Sequence, residues 1–557
     1  MRDRISQILK MSQTRNGDAM TEGKVSFVEK VSDEDLKNAK SVFPKFASGE
    51  FRVNQPDAIR TIVLSRKKYS VLEAPTGMGK SLIGMSAGRL LGKTTYLVHS
   101  RVLQVQLAND FEGVPILWGR QNYKCLRNND EAIFCDACTH RRGSACQFVP
   151  QCPYRVARGM AASSNLRTLN YDYFITATQV PTSNFKANDL VVVDEADSLE
   201  DVLISHIGIK IPQSLLRRMS LILPNYKTAS GTNGVSDWKA WGVKTLNSIS
   251  IKAKKLEQEI HLFDDLVTLA QANAMRTLSN LKRLMTSLEY FVECVDDKWL
   301  YEDKTGDGVY GYIQFRPIWM NQFLAEKYLW NNGSKFALMS ATFPPLPVLS
   351  KLLGINSSDI EYHRFKSTFP VERRKIVVDP VANLTYKQMD SEIPKLLKRV
   401  KEILEEHKNE KGLIHTVSYK LANEIMKLGN DRLILHGASN KIDMVESFKK
   451  SDKPLVLVSP SSERGISLDH DWCRFIIFAK APYDSLNDKL VNSRIYGGNI
   501  GQLWYTSKML MTVVQGCGRG MRSASDYCRS YILDRQISDA INRNITLIPE
   551  WFREAMW

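Results

Sequence analysis

The sequence lacks any run of 18 or more apolar residues, which sets aside a long apolar membrane helix. Its first stretch, Met1 to Glu29, is polar and lacks the apolar core of a secretory leader. That stretch reads as a disordered tail, with Met11 and Met20 as candidate internal starts. The expected compartment is therefore cytoplasmic, with no membrane partner. Internal repeats and long low-complexity segments are also missing, which sets aside repeat architectures. Acidic residues are in deficit: 60 Asp+Glu against 76 Lys+Arg leave a formal charge of +16 and a pI near 9.2. Such a deficit favours a polyanionic partner, most simply nucleic acid. Charge alone is equally consistent with a merely soluble basic protein. At 557 residues and 43% apolar content, the chain can bury sizeable cores in about three or four domains.

What is present begins with Ala74-Pro75-Thr76-Gly77-Met78-Gly79-Lys80-Ser81. An apolar run, Tyr69 to Leu72, precedes it as a buried strand, and Ser81 to Leu91 follows as a helix. Strand, glycine-bearing loop, Lys-Ser and helix are the parts of a phosphate-binding loop. The glycines let backbone N–H groups close around phosphate oxygens, and the helix N-terminus adds positive potential. Lys80 would reach the β- and γ-phosphates, and Ser81 would ligate Mg²⁺, so ATP is the expected nucleotide. Ala74 stands where the plain motif has glycine, and only a small residue is needed there. About twenty residues earlier, Gln55 has an amide able to read an adenine edge by donating and accepting together.

Thr94 to His99 reads as a second buried strand, and Ser100 to Phe111 as a helix whose hydroxyl suits either a nucleic-acid backbone or a helix cap. Five of the nine cysteines then crowd together: Cys125, Cys135, Cys138, Cys146 and Cys152. Without a secretory leader, that crowding argues for metal over disulfides. Thiolates select zinc or iron–sulfur clusters. A zinc site more often shows two C-x₂-C pairs or a His pair. Here only Cys135 and Cys138 form such a pair, and the one local histidine is His140. Irregular cysteine sets suit a [4Fe–4S] cluster, with zinc as the alternative. Arg141, Arg142, Arg155 and Arg158 around it would make either a DNA-facing knob or a solvated surface over a structural staple.

Leu190 to Val193 reads as a central parallel strand that ends in Asp194-Glu195-Ala196-Asp197. Ligands bind at the carboxyl ends of such strands. Asp194 would hold Mg²⁺ and Glu195 would polarise the attacking water. Neither glycine nor proline occurs from Val243 to Thr305. Leu256, Ile260, Phe263 and Val267, then Leu281, Leu284 and Leu288, recur at helical spacing, which predicts an insertion of two or more long helices packed through a leucine stripe. Tyr310 to Phe315 reads as a short strand. Phe336 to Met339 is a buried strand that ends in Ser340-Ala341-Thr342.

From about Phe369 a second α/β region is predicted, with strands at Gly412–His415, Leu455–Val458, Phe475–Phe478 and Tyr531–Leu533 and helices at Glu392–His407 and Tyr419–Leu428. Its informative end is Gln515-Gly516-Cys517-Gly518-Arg519-Gly520-Met521-Arg522. Arg519 and Arg522 are expected on one helical face, where arginines can neutralise charge on a transferring phosphoryl group.

In this order, phosphate loop, Asp-Glu-Ala-Asp, Ser-Ala-Thr, Glu463-Arg464-Gly465 and Gln-x-x-Gly-Arg-x-x-Arg, the set resembles a superfamily-2 helicase. Gly119 to Cys125 and Cys152 to Arg158 resemble the first and last cluster-ligand segments of iron–sulfur helicases of the XPD/DinG family. The resemblance spans about Phe51 to Asp534. It implies two RecA-like, doubly wound α/β motor domains, the first carrying a cysteine-rich cluster insertion and a helical arch. It places a disordered tail at 1–35, motor domain 1 at 36–118, 159–200 and 331–365, the cluster domain at 119–158, the arch at 201–330 and motor domain 2 at 366–557. Carried over, Gln55 contacts adenine; Ala74 to Ser81 bind nucleotide; Asp194 and Glu195 serve metal and water. Ser340 and Thr342 couple the motors, Gly465 lines the interface, and Gln515, Arg519 and Arg522 complete the site. Four of the five cysteines ligate the cluster. Cys125 and Cys152 match the motif most closely, Cys135 with Cys138 resembles the XPD arrangement, and Cys146 resembles the DinG one.

The implied activity is ATP-driven 5′→3′ translocation on single-stranded DNA and unwinding of forked duplex, by a monomer, in DNA repair, recombination or replication. An RNA or RNA–DNA hybrid helicase and a non-unwinding ATPase clamp are the competing readings. Two departures stand out. Asp197 occupies the position where the family usually has His, which bears on coupling between the motors. Glu-Arg-Gly-Ile-Ser replaces the more usual Glu-Gly-Val-Asp.

Overall fold

Apolar runs four to eight residues long and rich in Val, Ile and Leu suit strands buried on both faces, the environment of a parallel sheet covered by helices. The structure, a computed structural model, describes residues 28–127, 132–138, 146, 148–224, 234–261, 268–306, 310–437, 441–460, 468 and 470–557. In chain order the strands are β1 (Tyr69–Glu73), β2 (Thr94–Val98), β3 (Ile116–Leu117), β4 (Leu166–Asn170), β5 (Asn188–Asp194), β6 (Ile209–Pro212), β7 (Trp299–Asp303), β8 (Tyr312–Pro317), β9 (Gly333–Ser340), β10 (Ile360–Arg364), β11 (Ile376–Ala382), β12 (Gly412–His415), β13 (Leu433–Leu435), β14 (Val456–Ser459), β15 (Phe475–Phe478) and β16 (Arg529–Asp534).

Two parallel sheets carry the α/β architecture. The first has the order β10-β1-β9-β5-β2-β4-β3 and the second β11-β16-β15-β12-β14-β13. Every residue of β1, β2 and β12 is buried, as two helical layers require. Each sheet has its own apolar layers. Ile59, Ile83, Tyr96 and Met339 pack on one face of the first sheet, and Leu396, Ile414, Val458 and Leu533 on one face of the second.

The chain leaves the first sheet twice. Between β3 and β4 runs the cysteine-bearing segment. Between β5 and β9 lies an insertion with two long helices, Gly234–His261 and Leu269–Cys294. They pack on a small antiparallel sheet, β6-β8-β7, through Trp238, Phe291 and Phe315. The leucine stripe holds at Leu281 and Leu288, which are buried. The stripe residues Phe263 and Val267 lie outside the described residues.

The two insertions touch. Ala272 and Met275 of the second long helix pack against Ile133 and Ala137. Arg276 Nε donates to Asp136 Oδ2 at 2.8 Å beside them. Among the described residues, no helix is long and apolar enough to cross a membrane.

Two expectations need correction. The tail predicted disordered to residue 35 overlaps the helix Asp33–Ser41. Ser32 caps it by accepting from Asp35 N while the Asp35 carboxylate accepts from Ser32 N, a reciprocal box that satisfies two orphan N–H groups. Arg519 and Arg522 do not share a helical face. The helix Asn499–Cys517 stops before them, and only one tight turn, Gly518–Gly520, follows. Three glycines in five residues lower helix propensity where the chain must leave the cylinder.

Candidate nucleotide site and cysteine pocket

The loop Ala74–Ser81 leaves the end of β1, and the helix Lys80–Leu91 begins at its last two residues. Gly77 and Gly79 have φ of +83° and +78°, the left-handed region that only glycine enters without strain. Space is as tight as torsion. The Phe369 ring sits where a Cβ on Gly77 would be, and the Gln55 amide sits beside Gly79. Gln55 is buried; its Nε2 donates to Met78 O at 3.0 Å, and its Oε1 accepts from Arg52 N at 2.8 Å. The residue expected at adenine is thus also the strut that holds the loop. Ala74 N donates to Ser340 O at 2.8 Å, which ties the loop to the Ser-Ala-Thr strand end.

Asp194 closes β5, one strand away from β9. Its Oδ2 accepts from Tyr96 OH at 2.8 Å, its Oδ1 accepts from Glu195 N at 3.0 Å, and its carbonyl accepts from Tyr171 OH. Burial pushes the Asp194 carboxyl up, while Lys80 and the Tyr96 hydrogen bond pull it back down. The Tyr96 hydroxyl also interacts with Ser81, so one phenol spans the two candidate Mg²⁺ ligands. Glu195 has φ of +55°, a conformation unusual outside glycine, which turns the chain sharply after β5. Tyr96 and Tyr171 were not singled out from the sequence. For Tyr96 the available signal was an aromatic inside the buried run Thr94 to Val98; Tyr171 sits among polar residues and carried none.

From the second sheet's side, Gln515 reaches the acidic motif. Gln515 Nε2 donates to Asp197 Oδ2 at 2.9 Å and to Thr342 Oγ1 at 2.9 Å. Ser340 Oγ donates to the other oxygen, Asp197 Oδ1, at 2.7 Å. The carboxylate that stands in for the usual histidine therefore accepts from both sheets' elements. Beside it, Gly518 faces Thr76 at the phosphate loop. Arg519 neighbours His415, a buried imidazole at the end of β12 whose pKa is pushed down to about 3 by burial and by that arginine. Arg522 N donates to Asp526 Oδ2 at 3.2 Å. Glu463, Arg464 and Gly465 lie outside the described residues.

Among the described residues, the stretch from Lys124 to Cys152 has one β-bridge and short single turns. The bridge pairs Lys124 with Phe134, and Cys135 N donates to Tyr123 O at 2.8 Å. Cys125, Cys135, Cys138, Cys146 and Cys152 all line one cavity, together with Arg120, Arg127, Tyr154 and Arg155. Burial pushes the Cys135 thiol up to about 12, and next come the nearby Cys152, Cys125 and Cys138. A thiol surrounded by thiols resists ionisation until a cation neutralises the set, so the donor chemistry fits a soft metal. Among the described residues, no group of three or more His, Cys, Asp or Glu side chains is already gathered as a metal site. The cysteines are neighbours without being a finished coordination shell. His140, Arg141 and Arg142 lie outside the described residues.

Two family profiles match this chain. The one described as "Helicase C-terminal domain" covers residues 397–555, and "DEAD_2" covers residues 135–216, from the cysteine pair through the acidic strand. These matches support an XPD/DinG-like superfamily-2 helicase. Among curated relatives, this helicase is 20% identical to "ATP-dependent DNA helicase YoaA" of Haemophilus influenzae, over 85% of this chain and 89% of the relative. It is 21% identical to "ATP-dependent DNA helicase CHL1" of Candida glabrata, over 72% of this chain and 57% of that one. Two solved structures share the helicase's fold. One described as "XPD_Helicase" aligns at a TM-score of 0.57 and 15% identity, over 95% of this chain and 100% of that one. "Structure of S. tokodaii Xpd4" aligns at 0.53 and 16%, over 90% and 98%.

Proposed function

We propose that this helicase uses ATP and Mg²⁺ to translocate 5′→3′ on single-stranded DNA and to unwind forked duplex, as a cytoplasmic monomer serving DNA repair, recombination or replication. The observation that carries the reading is Gln515 bonded to Asp197 and Thr342 at 2.9 Å each. A nucleotide site shared between two domains converts binding and hydrolysis into relative movement. In this reading Ala74 to Ser81 cradle the phosphates, Lys80 neutralises them, and Ser81 and Asp194 hold Mg²⁺. Glu195 orients the water, Gln55 meets adenine, and Arg519 and Arg522 offset charge on the transferring phosphoryl group. The motor domains are 36–118 with 159–200 and 331–365, and 366–557. The cluster domain at 119–158 and the arch at 201–330 frame the strand, and their contact at Arg276–Asp136 supports a closed passage.

Cys125, Cys135, Cys138 and Cys152, the set that resembles the XPD arrangement, would hold a [4Fe–4S] cluster, with Cys146 as the spare thiol. The cluster would supply a rigid staple that ties the ends of this segment together. Strand displacement on tailed duplexes tests the activity. DNA with a 5′ tail should be unwound in the presence of ATP and DNA with a 3′ tail should not. Preference for RNA or hybrid forks, or ATP turnover with no strand displaced, would replace this reading with a competing one.

A further inference from the structure

Arg494 lies on the helix Lys489–Tyr496, between the last two strands of the second sheet, and it is 1% exposed. Its guanidinium is used on every side. Nη2 donates to Glu200 Oε1. Nε donates to Ile318 O at 2.7 Å. It also lies 4.5 Å from the Trp319 ring centroid and 4.7 Å from that of Trp504, two indoles set nearly at right angles to each other. A planar, delocalised fork can donate in its plane and pack against rings at once, which a lysine ammonium does not reproduce.

These partners belong to three different bodies. Glu200 is in the helix Leu199–Ile207, which directly follows the acidic motif. Ile318 and Trp319 follow β8, the strand by which the chain leaves the helical insertion. Trp504 is on the helix Asn499–Cys517, the one that delivers Gln515. A second contact reinforces the insertion side. Asp488 caps Arg494's helix by accepting from Leu490 N at 2.7 Å, and it also accepts from Arg316 Nη2 of β8 at 3.0 Å.

The acidic-motif segment and the Gln515 helix are therefore fastened to each other twice. One fastening, Gln515–Asp197, is at the nucleotide. The other, Arg494 with Glu200 and Trp504, is at the base of the insertion. Any movement that breaks the first loads the second, and the second is the one that touches the insertion. Resting on the helicase reading above, we propose that Arg494 is a positioning residue that transmits nucleotide-driven movement of the second motor domain to the helical insertion. Arg494 touches neither nucleotide nor reacting atoms, so its loss should separate hydrolysis from work.

The test uses the full-length protein with Arg494→Lys, which keeps the charge and loses the planar fork. Amide hydrogen exchange across residues 299–320 is measured with and without a non-hydrolysable ATP analogue, beside ATP turnover and strand displacement. Wild type should change its exchange there on binding the analogue, and the variant should not. The variant should hydrolyse ATP within about twofold of wild type yet displace at least about tenfold less strand per ATP. Should Arg494→Lys fail to fold, Trp319→Leu, which removes one of the two indole contacts and leaves the ion pair, should shift both readouts in the same direction. A wild type whose exchange does not respond to the analogue overturns the proposal. So does a folded variant that keeps the response, or one in which turnover and displacement fall in parallel. A wild type that hydrolyses ATP without displacing any strand defeats the helicase reading instead, and the exchange measurement still decides the role of Arg494.

Discussion

The nucleotide site and the cysteine pocket sit on the same sheet and are built in opposite ways. At the nucleotide site the candidate groups Asp194, Gln55 and Asp197 are held by other protein groups. Asp194 is held by Tyr96 from the neighbouring strand, Gln55 by the loop it braces, and Asp197 by Ser340 and Gln515. In the cysteine pocket the groups that press on Cys135 are other thiols, and the described chain from Lys124 to Cys152 has one β-bridge and short single turns. A site of the first kind keeps its shape without its ligand. A site of the second kind takes its shape from what it binds, as small metal-stapled folds do.

The sharpest way to break that comparison is at Lys80. Lys80→Ala should lower DNA-stimulated phosphate release by about 100-fold or more, while the thermal midpoint stays near that of wild type. A fall in both would mean that the site is not preformed. Next, Cys135→Ser should cut iron from about four per chain to nearly none and lower the thermal midpoint, whereas Cys146→Ser should keep both. Iron analysis with a melting curve checks this, and equal losses from the two variants would remove Cys146 from its place as the spare. The smallest effect is expected at Tyr96→Phe. It deletes one hydrogen bond to a carboxylate, worth about 1.5–3 kcal/mol, so half-saturation by Mg²⁺ in the ATPase assay should rise by roughly tenfold or more. An unchanged Mg²⁺ curve would show that the tyrosine only fills space.

What could be read in the sequence was whatever is local. The phosphate loop, the acidic strand and the two long helices of the insertion each declare themselves within a short window. Strands β12 and β15 fall on the expected residues because short buried runs, Gly412–His415 and Phe475–Phe478, leave little choice. The short β3 and β13 carry too few residues to make a pattern. β4 was hidden because its second residue is Arg167, a fully buried charge whose partners, Asn188 and Thr95, lie on other strands. The end of the helix before Arg519 was misjudged because periodicity favoured continuation and the glycines were weighed too lightly. Arg494 was invisible for a different reason. Nothing near it in the chain resembles a motif, and its meaning comes from Glu200, Ile318 and two tryptophans hundreds of residues apart or on another helix.

The strand that launches the phosphate loop, β1, has two neighbours in its sheet, β9 and β10. Both come after the cysteine segment and after the helical insertion. On the ribosome, at roughly 5–20 residues per second, β1 therefore waits on the order of tens of seconds with both edges open. During that wait Glu73 at its tip lacks Arg364 and Tyr362, which later close around its carboxylate. The most recognisable loop in the chain thus waits for the last two strands of its own sheet. Nascent-chain handling in this protein falls hardest on the short apolar stretch just ahead of it.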